Sequence, residues 1–163
     1  MEPEMNTPEQ GAIYGVELEN LPIIPAGGGP VLKMIWPQGN LAPLPHGCCG
    51  EIYFSVLEPG ALKAWKRHRR QTQFLAVPYG RIKFVLFDDR EDSPTRNAIW
   101  EIILGRPDDY RLLKIPPVVY YGFANLSREA EALVCNCADM PHDPAEGEKL
   151  PWDTTLVPYQ WTL

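Results

Sequence analysis

The sequence predicts an all-β fold, a single sandwich or barrel of strands. Short apolar segments recur about every ten residues between Gly, Pro, Asn and Asp, the spacing of such folds. Eighteen prolines and thirteen glycines run from end to end without a period, which excludes a collagen repeat and disfavours long helices. No stretch holds a 3.6-residue apolar period with caps at both ends. With 163 residues, 45% hydrophobic and 22% charged, the chain suits one globular domain with a proper core and not a disordered one.

The elements follow in order. Residues 1–11 begin MEPEMNTPEQ, acidic and polar, the opposite of a signal peptide; they read as a flexible leader. Residues 12–163 read as one β-barrel domain. Strands are expected at 12–18, 31–36, 51–57, 61–66, 73–78, 81–87, 97–104, 110–115 and 130–137. Residues 26–30 (AGGGP) form a loop. Residues 73–87 read as a hairpin turning through Pro78-Tyr79-Gly80. In its second arm Ile82, Phe84 and Leu86 share one face, and Lys83, Val85 and Phe87 the other. Only short turns are expected near Ser127–Ala130 and in the C-terminal tail.

Charge narrows the function. A net charge of −6 argues against nucleic-acid binding by the whole surface. No apolar run approaches the roughly 20 residues that cross a bilayer, so no membrane partner and a cytoplasmic home are expected. Cys48-Cys49 and Cys135-x-Cys137 lack zinc spacing and read as reduced thiols. His46, His68 and His142 are too scattered to read as a metal site. Neither a metal nor another cofactor is expected.

One segment gathers cations. In KAWKRHRR, residues 63–70, five of eight residues are Lys or Arg. A regular strand would put Lys63, Trp65, Arg67 and Arg69 on one face, and Ala64, Lys66, His68 and Arg70 on the other. Such a cluster suits a diphosphate, or equally a solvated edge strand protected by its charges.

The run Ile115-Pro116-Pro117-Val-Val-Tyr120-Tyr121-Gly-Phe-Ala-Asn125 resembles the second motif of cupin barrels, Pro-x-Gly-x-x-His-x-x-x-Asn. Pro116 and Asn125 match; Val118 replaces the glycine and Tyr121 the metal-binding histidine. A phenol is a poor ligand in place of imidazole, so the resemblance implies a metal-free barrel. Phe74–Arg90 (FLAVPYGRIKFVLFDDR), then Ser93-Pro94-Thr95, Gly122-Phe123, Leu126-Ser127, Trp152-Asp153 and Trp161 are similar to the dTDP-4-dehydrorhamnose 3,5-epimerase family. That resemblance covers roughly residues 50–161. It implies a cupin-like double-stranded β-helix, or jelly-roll barrel, a homodimer, and a nucleoside-diphosphate sugar as small-molecule partner.

The family's chemistry is removal and return of a proton beside a 4-keto group, through an enolate. The resemblance implies a histidine base held by an aspartate, and a tyrosine acid. Here the base position is Lys66, with His68 two residues on. The late-strand tyrosine is Cys135, the aspartate falls near Asp153–Thr154, and a hairpin lysine is Gln73. Lys63 keeps a cation at a substrate-binding arginine. Candidate catalytic residues are therefore Lys66, His68, Cys135 and Tyr121; candidate substrate-binding residues are Lys63, Arg67, Arg70, Gln73 and Tyr120. Three readings stand: Lys66 as base with Cys135 as acid and Tyr121 or Tyr120 as donors; His68 as base for a single epimerisation or a ketoisomerisation; or a barrel that only binds a sugar nucleotide. An unrelated isomerase or cyclase on the same scaffold is the further alternative, since fold does not fix function.

Overall fold

The computed structural model describes residues 7–35 and 49–162; residues 1–6 of the expected leader, the last residue of the strand expected at 31–36, His46 and Cys48 lie outside the described residues. Among them the chain is all-β. Its strands are β1 (Glu9–Gln10), β2 (Glu17–Asn20), β3 (Ile23–Ile24), β4 (Val31–Leu32), β5 (Glu51–Leu57), β6 (Leu62–His68) and β7 (Gln73–Tyr79). The second half adds β8 (Arg81–Phe87), β9 (Ile99–Gly105), β10 (Arg111–Ile115), β11 (Tyr120–Asn125), β12 (Ala132–Ala138) and β13 (Gly147–Lys149). A six-stranded sheet runs β1-β2-β10-β7-β12-β5, and a five-stranded sheet runs β13-β6-β11-β8-β9. Every pairing is antiparallel. This is the expected jelly roll.

The core follows from the strand alternation. Leu75, Val77, Leu113 and Val134 from the larger sheet meet Ile82, Phe84, Leu86, Tyr121 and Phe123 from the smaller one. Burying such side chains contributes about 1.5–3 kcal/mol each. The outer faces are covered as well. Trp65, Val85, Phe87 and Tyr120 pack under Val157, Tyr159 and Trp161 of the C-terminal tail. On the other side Phe74, Ala76, Leu112 and Cys137 pack with Leu21 and Tyr110, against Ile23, Leu32 and Met34. Central strands are therefore buried on both faces.

Several sequence expectations shift. The first expected strand, 12–18, turns through its first residues and becomes β2. The expected strand 31–36 shortens to β4. Glu9 and Gln10 already pair with Leu18 and Glu17, so the sheet begins inside the segment read as a leader. β11 and β13 were not expected as strands. The hairpin β7–β8 turns where predicted, with Gly80 at φ +82°, where a Cβ would come within 2.5 Å of the Ala132 Cβ.

The matching motifs are structural fasteners. Asp88, fully buried, accepts hydrogen bonds from Arg90, Ser93 and Thr95 at 2.5–2.9 Å. Burial disfavours its charge, but these donors hold its carboxyl well below the usual range. Arg90 and Thr95 also bond the Tyr14 backbone, at 2.7 and 2.9 Å. Asn125 donates to the carbonyls of Leu57, Glu58 and Ala130 at 2.8–3.2 Å.

The basic segment departs from a regular strand. On β11, Tyr121 pairs with Lys66 and Phe123 with Lys63, so three steps on β6 oppose two. This bulge moves Lys63 onto the face of Lys66 and turns Trp65 outward into the tail cluster. Gly122 makes room for it: a Cβ there would come within 2.5 Å of the Ala64 Cβ and 2.9 Å of the Trp161 ring.

Candidate active site

Towards one end of the barrel the apolar core gives way to polar side chains. A cavity of about 690 Å³ is lined by Tyr53, Lys66, His68, Gln71, His142 and Lys149, among others. β6 and β11 form one wall, presenting Lys66 and His68, with the fully buried Tyr121 packed against both. β5 and β12 form the facing wall, where Tyr53 and Asn136 are cross-strand partners. The segment entering β13 supplies Glu146.

Glu146 organises the first wall. One carboxylate oxygen accepts the backbone N–H groups of Arg70 and Gln71. The other meets His68 Nδ1 at 2.8 Å. Burial opposes its charge, but the two N–H groups and the imidazole hold its carboxyl below the usual range. An ionised Glu146 can only accept, so Nδ1 carries the hydrogen and Nε2 keeps its lone pair. The Tyr121 hydroxyl lies 3.4 Å from Nε2, a loose contact that a tighter partner can displace.

Protonation follows from burial. His68 is held below the ordinary 6.5, chiefly by burial and against the pull of Glu146, with Lys66 adding repulsion. Burial lowers Lys66 to about 8, helped by Lys149 and Lys63. At pH 7 a group of pKa about 8 is roughly ten parts charged to one neutral. His68 is then a neutral base beside a cationic Lys66, which is the division of labour proton transfer needs. The Lys66 ammonium sits 5.1 Å from the Tyr121 ring centroid and 5.8 Å from that of Phe123. Its Nζ lies 3.5 Å from the Tyr53 hydroxyl. Tyr121 and Tyr53 are both raised, chiefly by burial, and keep their protons.

The structure brings Lys66, His68, Tyr121 and Lys63 together. Lys63 borders a second hollow of about 330 Å³ with Ser55, Lys66, Phe123 and Lys149. Gln73 is buried on the inner face of β7, donating to Gln71 at 3.1 Å, and its Oε1 has no partner among the described residues.

Cys135 is not brought to this group. Val134 faces the core and Asn136 bonds Tyr53, so alternation turns Cys135 to the other face of β12. There its charge interactions are with Cys49 and Tyr110. Tyr120 likewise packs outward, 4.3 Å beneath the Arg67 guanidinium. Arg67 borders the cavity but is bound to Glu148 at 2.5 Å and Asp89 at 2.8 Å. Arg70 is mostly exposed and pairs with Asp143 at 3.4 Å. Thr154 lies in the tail, its hydroxyl accepting from Leu156. Sequence reasoning missed Glu146, Tyr53, Asn136 and Lys149.

No family model matches the chain. Among curated proteins, the probable low-salt glycan biosynthesis epimerase Agl13 of Haloferax volcanii is 34% identical over 113 residues, 67% of this chain and 70% of that one. The spore coat polysaccharide biosynthesis protein SpsL of Bacillus subtilis is 30% identical over 114 residues, 69% of this chain and 74% of that one. The crystal structure of a dTDP sugar isomerase from Desulfovibrio desulfuricans is 48% identical, covers 92% of each chain and superposes with a TM-score of 0.85. The chain belongs to the dTDP-4-dehydrorhamnose 3,5-epimerase-like family. The fold extends to more distant structures. One is the dTDP-6-deoxy-D-glucose-3,5-epimerase of Legionella pneumophila, 20% identical, with a TM-score of 0.79 over 96% of this chain and 84% of that one. Within this epimerase-like family the chain is divergent at the positions that the resemblance makes catalytic. An imidazole–carboxylate pair is nevertheless present, as His68 with Glu146 in place of a pair at Lys66 and Thr154.

Proposed function

We propose that the protein epimerises a nucleoside-diphosphate 4-keto-6-deoxy sugar. The observation that carries this reading is the His68–Glu146 pair beside the Lys66 ammonium in a single cavity. Carbon next to a ketone is acidic because its conjugate base is an enolate. His68 Nε2 takes the proton from that carbon, and the C–H electron pair moves to the carbonyl oxygen. Glu146 fixes the ring tautomer and stabilises the imidazolium that results. Lys66, with the Tyr121 hydroxyl, donates to the enolate oxygen. A proton added to the opposite face of the carbon inverts it and restores the ketone. No electron is exchanged with any other group.

Lys63 and Lys149 make no ion pair among the described residues, border the same hollow beside the site, and together favour a diphosphate. Arg67 and Arg70, expected in that role, are already engaged by carboxylates. A sugar nucleotide is a multiply charged metabolite that does not cross a bilayer unaided, which supports a cytoplasmic location. Homodimerisation is part of the same reading. On β5, the edge strand of its sheet, Ile52, Phe54 and Val56 are 60%, 62% and 52% exposed. Such an apolar row on an edge suits a second copy of the chain.

The test is proton exchange. With dTDP-4-keto-6-deoxyglucose in D2O, the protein is expected to erase the C3 or C5 proton signal faster than a protein-free control. Line broadening that shows binding, without exchange, would refute the enzyme reading in favour of a binding barrel.

A further inference from the structure

Inverting a carbon needs a proton donor on the face opposite the base, whereas moving a ketone along the chain needs one group working on one face. The wall that faces His68 therefore decides which reaction the cavity supports. That wall is the inner face of β5 and β12, where Cys135 is turned away and Tyr53 and Asn136 point inward. Tyr53 is the hydroxyl that this wall contributes to the lining of the cavity.

Its hydrogen bonds give it a direction. The Tyr53 oxygen accepts from Asn136 Nδ2 at 2.9 Å and lies 3.5 Å from Lys66 Nζ. With both neighbours donating, the phenolic hydrogen has no acceptor among the described residues and is free for a ligand. The same two donors would stabilise a phenolate once that hydrogen is given away. The Lys66 ammonium thereby touches both reacting oxygens, that of the enolate and that of the phenol.

We propose that Tyr53 is the proton donor that inverts the sugar carbon, facing His68 across the cavity, and that the reaction is epimerisation and not ketone migration. The proposal rests on the reading of His68 as the base. Tyr53 gives its proton to the enolate carbon, whose electron pair re-forms the C–H bond while the carbonyl is restored. His68 releases its proton to solvent and Tyr53 takes one back, so each turnover consumes none. Burial, with Glu51 adding to it, keeps the phenol protonated at neutral pH.

Abstraction and return can be separated by experiment. With dTDP-4-keto-6-deoxyglucose in D2O, NMR reports both solvent exchange at the carbon and formation of the inverted epimer. Tyr53→Phe is expected to keep exchange within about threefold of wild type while inversion falls at least about 10²-fold, deuterium entering with retention. That retained exchange also shows that the variant is folded. Asn136→Ala, which leaves the tyrosine in place and removes one donor to it, should give an intermediate inversion rate. Inversion by Tyr53→Phe at the wild-type rate would overturn the assignment. So would wild-type exchange that moves the ketone without an epimer, which leaves His68 as base intact. If Tyr53→Phe is unfolded, inversion by Asn136→Ala at the wild-type rate would count against the role. Absence of exchange in the wild type would remove the epimerase reading itself.

Discussion

His68 and Lys66 stand two residues apart on one strand and carry different charges at neutral pH. The proposed reaction needs His68 neutral and Lys66 protonated. As pH falls through the lowered imidazole pKa, below 6.5, the base is lost; as pH rises through about 8, the ammonium is lost. A bell-shaped kcat/KM profile is therefore expected, with its alkaline limb near 8. An alkaline limb near 10, where an ordinary lysine titrates, would show that the cavity does not lower Lys66. The residues of this pair were legible because the basic run drew attention to them. Glu146 was not, because its partner lies 78 residues away and a lone glutamate in a loop carries no local signal. Tyr53 had a faint one: Glu51, Tyr53 and Ser55 alternate with Ile52, Phe54 and Val56, which marks them as one face of a strand.

Of the strands that build the site, β11 was the hardest to read. β11 is buried at every position from Tyr120 to Asn125, since the core lies on one side and the tail on the other. A strand covered on both faces shows no alternation, and Pro116-Pro117 before it reads as a break. β5, β7 and β8 were legible within a residue because turn formers bound them. The bulge in β6 was not, because nothing in KAWKRHRR marks an extra residue. Just before β11, Val118 occupies the motif's glycine position and adopts φ +67°, a region that costs a β-branched residue about 1–2 kcal/mol. Its N–H bonds the His68 carbonyl at 2.7 Å, so the strained residue supports the strand end that carries His68. Val118→Gly is expected to gain roughly 1 kcal/mol, raising Tm by about 2–4 °C in differential scanning calorimetry. A fall in Tm would show that the valine side chain contributes more than its backbone costs.

At the scale of the molecule, the C-terminal tail covers one sheet and the segment around β3 and β4 the other, while among the described residues β5 is left as an edge strand. The apolar row there predicts a dimer. Phe54→Glu should convert the protein to an 18.4 kDa species in sedimentation, and a wild type already of that mass would remove the dimer. The two sheets also set two facing walls, one with His68 and Lys66, the other with Tyr53. In the proposed reaction His68, held by Glu146, takes the proton from a 4-keto sugar nucleotide. This step is tested most directly by following deuterium uptake at C3 and C5 of dTDP-4-keto-6-deoxyglucose with wild type and with His68→Asn. Uptake by the wild type and a loss of at least about 10²-fold in the variant are expected. Equal uptake by both proteins would contradict the role of His68.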